Sequence, residues 1–221
     1  MIALKDDFDI IKLNNKAWDK AAKTYDKEFH GKIYTLFNDF CEKLTKGGYI
    51  LDLGSGTGLP YAKLLIEKGF KVLGIDISAE MIKIARKNVP KAKFKEMSMT
   101  DLNYKKEFDG IFSSYSMLLL NPLLFKETAK KIVQALKKGG VFYLCLNGPW
   151  VEGTDLNKDV LIEFKGEKMY SRAYSKEEIL NVFIPLGMKL LKFNREIITS
   201  ETWGKENMNT YIFISEESYQ K

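Results

Sequence analysis

The chain has 221 residues, enough for one sizeable hydrophobic core and short for two. Hydrophobic residues make up 45% and charged residues 29%, a balance that excludes an intrinsically disordered chain. The net charge of +6 rests on scattered lysines, with only Arg86, Arg172 and Arg195 as arginines, so the composition argues against a surface built to read bases and phosphates.

The two cysteines, Cys41 and Cys145, form no CxxC pair, and His30 is the lone histidine, so no metal site is expected. The first residues carry no apolar leader, and no apolar stretch reaches the roughly 18 residues of a membrane span. A cytoplasmic protein without a membrane partner is expected, as monomer or homodimer.

Residues 8–46 read as helices: Ile10, Leu13, Trp18 and Ala21 lie at helical spacings, and Ile33, Phe37, Phe40 and Leu44 form an apolar stripe that Gly47-Gly48 stops. Tyr49–Leu53 reads as a strand and runs into Gly54-Ser55-Gly56-Thr57-Gly58. A helix follows with Leu59, Ala62 and Leu65 on its apolar face. Lys71–Ile75 is a second strand, Asp76 ends it, and Ser78 caps the next helix. Strands are expected near Lys93–Glu96 and Phe108–Ser113. Asn121-Pro122 opens a further helix, Gly139-Gly140 ends it, and Val141–Leu146 is a continuously apolar strand of a sheet centre. Leu161–Phe164 and Lys168–Tyr170 suggest a hairpin around Gly166. Ser175-x-x-Glu178 is a capping box, and Met188–Ile198 and Asn209–Ser215 close the chain as antiparallel strands. The alternation predicts an α/β fold with a doubly wound, mostly parallel seven-stranded sheet, its last strand antiparallel.

The glycine loop after the first strand suits a nucleotide-type ligand, because bare backbone allows close approach and ligands of open α/β sheets sit beyond the carboxyl ends of the strands. A G-x-G-x-x-G fingerprint fails at Leu59, and no Gly-Lys-Ser/Thr ending is present. Asp52 stands two residues ahead of Gly54. A carboxylate there repels a pyrophosphate and attracts an ammonium or sulfonium. S-adenosylmethionine (SAM) carries both cations and no phosphate. Asp76, 22 positions after Gly54, is placed to accept hydrogen bonds from both hydroxyls of a ribose, which SAM and NAD share.

Ile50–Gly58 resembles the first motif of the class I SAM-dependent methyltransferases, of Rossmann-like fold, and Val72–Ser78 with Met81 resembles the second. Met97–Leu102 is similar to the segment that frames adenine, Phe108–Ser113 to the fourth strand, and Leu136–Gly140 to the turn before the fifth. The resemblance implies SAM as cofactor. Gly54, Ser55 and Gly56 would hold its methionine part with Asp52 near the ammonium, and Asp76 would take the ribose. Ile77 and Met81 would pack on adenine, Ser98 and Met99 would meet its edge, and Ser113 and Ser114 would face the methionine end. Trp18–Asp26 resembles the family's N-terminal lid, with Tyr25 as first candidate to touch the cofactor and Trp18 as second.

The chain then divides into a helical lid (1–46), a SAM-binding core (47–146), an insertion over the acceptor site (147–174, with Trp150, Tyr170 and Tyr174 as its aromatics) and a C-terminal helix with a β-hairpin (175–221). Methyl transfer needs alignment and exclusion of water more than acid–base catalysis, and no general base stands out. Tyr115 and His30 are the candidates. The fourth strand ends in Ser113-Ser114-Tyr115-Ser116 rather than the Asn/Asp-Pro-Pro-Tyr that amino-methylating DNA enzymes resemble one another in, and neither cysteine follows a proline as in cytosine C5 enzymes. A small-molecule acceptor is expected over nucleic acid. An RNA methyltransferase, a non-catalytic SAM-binding protein and an NAD oxidoreductase are the competing readings.

Overall fold

A computed structural model of the chain describes residues 9–28, 35–149, 159–200 and 204–216. Its elements in chain order are α1 (Ile10–Glu28), α2 (Phe37–Glu42), β1 (Tyr49–Leu53), α3 (Tyr61–Glu67), β2 (Lys71–Asp76), α4 (Ala79–Asn88), β3 (Lys93–Glu96), β4 (Phe108–Ser114), α5 (Pro122–Ala135), β5 (Leu136–Asn147), β6 (Asp159–Phe164), β7 (Glu167–Arg172), α6 (Lys176–Phe183), β8 (Met188–Ser200) and β9 (Gly204–Ser215). Seven strands form one sheet in the order β3-β2-β1-β4-β5-β9-β8, and β6 and β7 form a separate hairpin. β1 to β5 pair in parallel, and β9 inserts antiparallel between β5 and β8.

The strands at the centre are apolar on both faces because helices cover both. Phe112 stacks on Tyr143 with ring centroids 4.3 Å apart, and Phe37, Phe40 and Tyr61 from α2 and α3 pack on that pair. One residue out of phase, Ile111, Phe142 and Leu144 face the other layer, where Phe125 of α5 and Phe183 of α6 are fully buried. Caps hold the helix starts: Asn121 Oδ1 accepts from the Leu124 amide at 2.9 Å, and Ser175 and Glu178 form a reciprocal capping box.

The structure redraws some boundaries. Pro60 occupies the N-cap position of α3, so that helix starts at Tyr61 rather than Leu59. Gly139-Gly140 does not end a helix. α5 stops at Ala135, Leu136 already pairs with Phe108, and the pairing slips before it resumes at Val141 with Gly110. Gly139, at φ 72°, absorbs that bulge. β8 and β9 are longer than expected, since each finds a full-length partner in the other. Ile33 and His30 lie outside the described residues.

Candidate functional site

The carboxyl ends of β1, β2, β4 and β5 open into a cavity of about 650 Å³, roofed by α1 and the β6–β7 hairpin. It is mostly apolar with a few convergent polar groups, the usual composition of a small-molecule site.

The glycine loop forms its floor. The Gly54 and Ser55 amides donate to the Ile75 carbonyl at 2.8 and 2.9 Å, the Gly56 amide donates to Asp76 Oδ2 at 2.9 Å, and the Gly58 amide donates to Ser55 O at 2.9 Å. Those amides are therefore engaged within the fold and do not form a bare cluster for a phosphate. Gly54 sits at φ 67°, and a Cβ there would lie 2.4 Å from Ser116 Cβ, so the loop tolerates only glycine at this point.

Asp52 and Asp76 both line the cavity. Burial, with the neighbouring Asp76 charge as the smaller cause, pushes the Asp52 carboxyl up to about 7. Burial likewise lifts Asp76 to about 6, against the pull of the Ser78 and Gly56 amides and with Asp19 adding to the rise. Two carboxylates so placed repel each other in a desolvated space, and a cation between them relieves both penalties. A pyrophosphate would deepen them. Burial and the charges of Asp76 and Asp26 hold the Tyr25 phenol up at about 12, so it stays protonated.

The roof is held by specific bonds. Ser78 Oγ donates to Asp19 Oδ1 at 2.6 Å, and Asn15 Nδ2 donates to the Ile77 carbonyl at 2.7 Å, which ties α1 to the turn after β2. Thr57 Oγ1 and Asn88 Nδ2 both donate to the Asp26 carboxylate. Asn14, fully buried, donates to the Leu119 carbonyl at 3.0 Å and accepts from the Tyr170 amide at 2.8 Å, pinning α1 to β7. Trp18 packs on Phe164 of the hairpin at 5.2 Å.

Of the residues singled out from the sequence, Tyr25, Asp52, Gly54, Ser55, Gly56, Asp76, Ile77, Met81, Ser98, Met99, Ser114, Tyr115 and Trp18 line this one cavity. Ser113 does not. Its side chain is buried, and its hydroxyl meets Ser116 Oγ at 2.8 Å. Because Ser116 spends its proton on the Leu53 carbonyl at 2.7 Å, Ser113 is the donor. Ser116, which the sequence reading passed over, lines the cavity instead. The Ser98 hydroxyl is turned to Thr100 Oγ1 at 2.7 Å. Strand alternation sends Tyr170 away from the cavity, while Val160, Ile162, Met169 and Ser171 face it, and Tyr174, beyond the end of β7, does not line it either. Tyr170 bonds Asp159, and Tyr174 donates to the Leu120 carbonyl at 2.7 Å beside Phe125. His30 and Trp150 lie outside the described residues. No cluster of metal-ligating side chains occurs among the described residues. No described helix is long and apolar enough to cross a membrane.

The cavity fits a nucleoside carrying cations. Asp52 and Asp76 face it beside the glycine loop, and Ser55 Oγ and Trp18 Nε1 are buried in its wall without a hydrogen-bond partner. Residues 50–140 match the methyltransferase domain family. The carboxy-S-adenosyl-L-methionine synthase of Sulfurimonas denitrificans is 28% identical over 208 residues, covering 78% of this chain and 86% of that protein. The synthase of the same name from Nautilia profundicola is 32% identical over 152 residues, 63% of this chain and 64% of that protein. The crystal structure of a SAM-dependent methyltransferase from Methanosarcina mazei superposes with a TM-score of 0.74 at 20% identity, over 85% of this chain and all of that one. Residues 50–140 thus form a methyltransferase domain, and over most of its length the chain is similar to class I SAM-dependent methyltransferases. It is an enzyme of that class, and its cofactor is SAM.

Proposed function

We propose that the chain transfers the methyl group of SAM to a small-molecule acceptor held in the part of the cavity beyond the glycine loop. Within this reading Asp52 meets the ammonium of the methionine part, Asp76 accepts from the ribose hydroxyls, and Ile77 and Met81 pack on adenine with Met99 at its edge. Trp18 and Tyr25 close over it from α1. Bound SAM supplies an electrophilic methyl group with a neutral thioether as leaving group. What remains for the protein is alignment and exclusion of water, which the roof provides.

The observation that carries the small-molecule reading is the enclosure of the cavity under α1 and the β6–β7 hairpin, with Lys205 the only cationic side chain in its described lining. A nucleic-acid acceptor needs phosphate contacts from several cations along its path. The test is incubation with methyl-labelled SAM and either a small-metabolite extract or total RNA. Label is expected in the small-molecule fraction, and RNA retention at low salt should be weak. Label in RNA with steeply salt-dependent binding would overturn the reading.

The names of the relatives favour a second reading, synthesis of carboxy-SAM, in which the cofactor itself is carboxylated. It needs a cationic side chain to hold the incoming carboxylate, and the described lining offers Lys205 alone, exposed and next to Glu206. Mass analysis of the cofactor recovered after turnover separates the two, since the second reading yields a carboxylated SAM and the first its demethylated thioether.

A further inference from the structure

The cavity continues past Ser114 and Ser116 to the adjoining ends of β5 and β9. There Asn147 Nδ2 donates to Glu206 Oε1 at 2.9 Å, so the two side chains are held as a unit across neighbouring strands. Asn147 gives one N–H of its Nδ2 to Glu206 and turns its Oδ1 elsewhere, and that atom is buried without a partner. Glu206 keeps a second carboxylate oxygen. Burial raises its carboxyl above the usual range while the Asn147 bond pulls it down. Nearby Asn207 gives one N–H of its Nδ2 to the Pro149 carbonyl at 2.6 Å. This end of the cavity presents acceptors, one of them anionic, beside the apolar Ile198 that pairs with Glu206, with the exposed Lys205 as the neighbouring cation.

A buried acceptor without a partner costs free energy that a donor from a ligand recovers. A carboxylate or phosphate has no proton to give and would meet Glu206 as a like charge. An alcohol satisfies one acceptor and leaves the charge unpaired. A primary or secondary amine brings a positive charge and at least two N–H donors, which is the set the pair lacks. We propose that Glu206 and Asn147 form the acceptor subsite and select an amine whose nitrogen receives the methyl group. This rests on the small-molecule methyltransferase reading. The bound ammonium gives one proton to Glu206. The freed nitrogen lone pair then forms the N–C bond as the C–S bond breaks and its electron pair stays on sulfur. The product is a methylated ammonium and the neutral thioether, and Glu206 returns its proton to solvent.

The test uses the full chain saturated with the demethylated cofactor, titrated calorimetrically with amines from butyl to phenethyl beside the alcohols and carboxylates of the same skeletons. The amines are expected to bind at least about tenfold tighter than the matched carboxylates, and turnover with labelled SAM should place the label on nitrogen. Glu206→Gln should weaken amine binding about tenfold while moving cofactor affinity less than about twofold. Glu206→Lys should reverse the preference toward carboxylates, a gain that misfolding cannot imitate. Equal binding of amines and carboxylates, binding of none of the probes, or amine affinity unmoved by Glu206→Gln would overturn the proposal. The underlying reading fails differently: label would then appear in RNA or in a carboxylated cofactor, with no labelled small acceptor.

Discussion

At Asp52 the chain keeps a carboxylate where burial opposes its ionisation. The side chain is 4% exposed, and its carboxyl is held at about 7 with Asp76 adding to the effect. A carboxyl raised above its unfolded value stabilises the fold below the unfolded pKa, and that stability is lost as pH rises through the folded one. Asp52→Asn removes this loss. The ligand-free variant is expected to be about 1–3 kcal/mol more stable than the native chain at pH 8, with the gap closing toward pH 4, as urea unfolding across pH will measure. The same substitution should weaken SAM binding about 10- to 100-fold at pH 8, the worth of a charged hydrogen bond. Native affinity should fall from pH 8 to pH 6 as Asp52 is protonated, and the variant should show a flatter profile by calorimetry. Gly54 carries a steric version of the same tension. Gly54→Ala is expected to cost about 2–5 kcal/mol, the sum of a left-handed backbone and the clash with Ser116 Cβ, and Ser116→Gly in that background should recover the clash part, about 1–3 kcal/mol.

Among the elements, α1 is set by bonds that reach the turn after β2, the glycine loop, the end of α4, the turn after β4 and β7. Asn14 is the most buried of them, with one bond to the turn after β4 and one to the β7 amide of Tyr170. Asn14→Ala strands both partners, so a loss of about 1–3 kcal/mol is expected, together with faster hydrogen exchange at the Tyr170 amide. Unchanged exchange there would mean that the hairpin is held by Trp18 and Phe164 instead. The helical pattern of α1 was legible from its apolar spacing, and the capping box of α6 from four residues. The bulge in β5 was not, because Gly139-Gly140 reads locally as a helix stop, while the pairing of Leu136 with Phe108 is what extends the strand back to the end of α5.

Across the whole molecule, the floor, the roof and the far wall of the cavity come from segments far apart in the chain, so a ligand that spans them should stabilise the fold as a unit. SAM at 100 times its Kd is expected to add about 2.7 kcal/mol, a rise in Tm of about 5–10 °C, with no rise from NADH. A scanning melt measures both, and a rise with NADH would contradict the electrostatics of Asp52 and Asp76.

The alternation of strands and helices, the glycine loop and the two aspartates near the carboxyl ends of β1 and β2 are local patterns, and the sequence by itself determined the doubly wound sheet and a cationic nucleoside as its ligand. Local periodicity and the charge beside a bare turn need no distant partner to be read. Ser116 meets the Leu53 carbonyl 63 positions away, and Glu206 meets Asn147 across 59. Those pairings exist because β9 enters the sheet antiparallel beside β5, which carries the start of the last strand back to the ligand end of the sheet. Only the tertiary structure decided that a carboxylate stands at the far end of the cavity, because strand order is set by packing of the whole sheet and not by any segment of it.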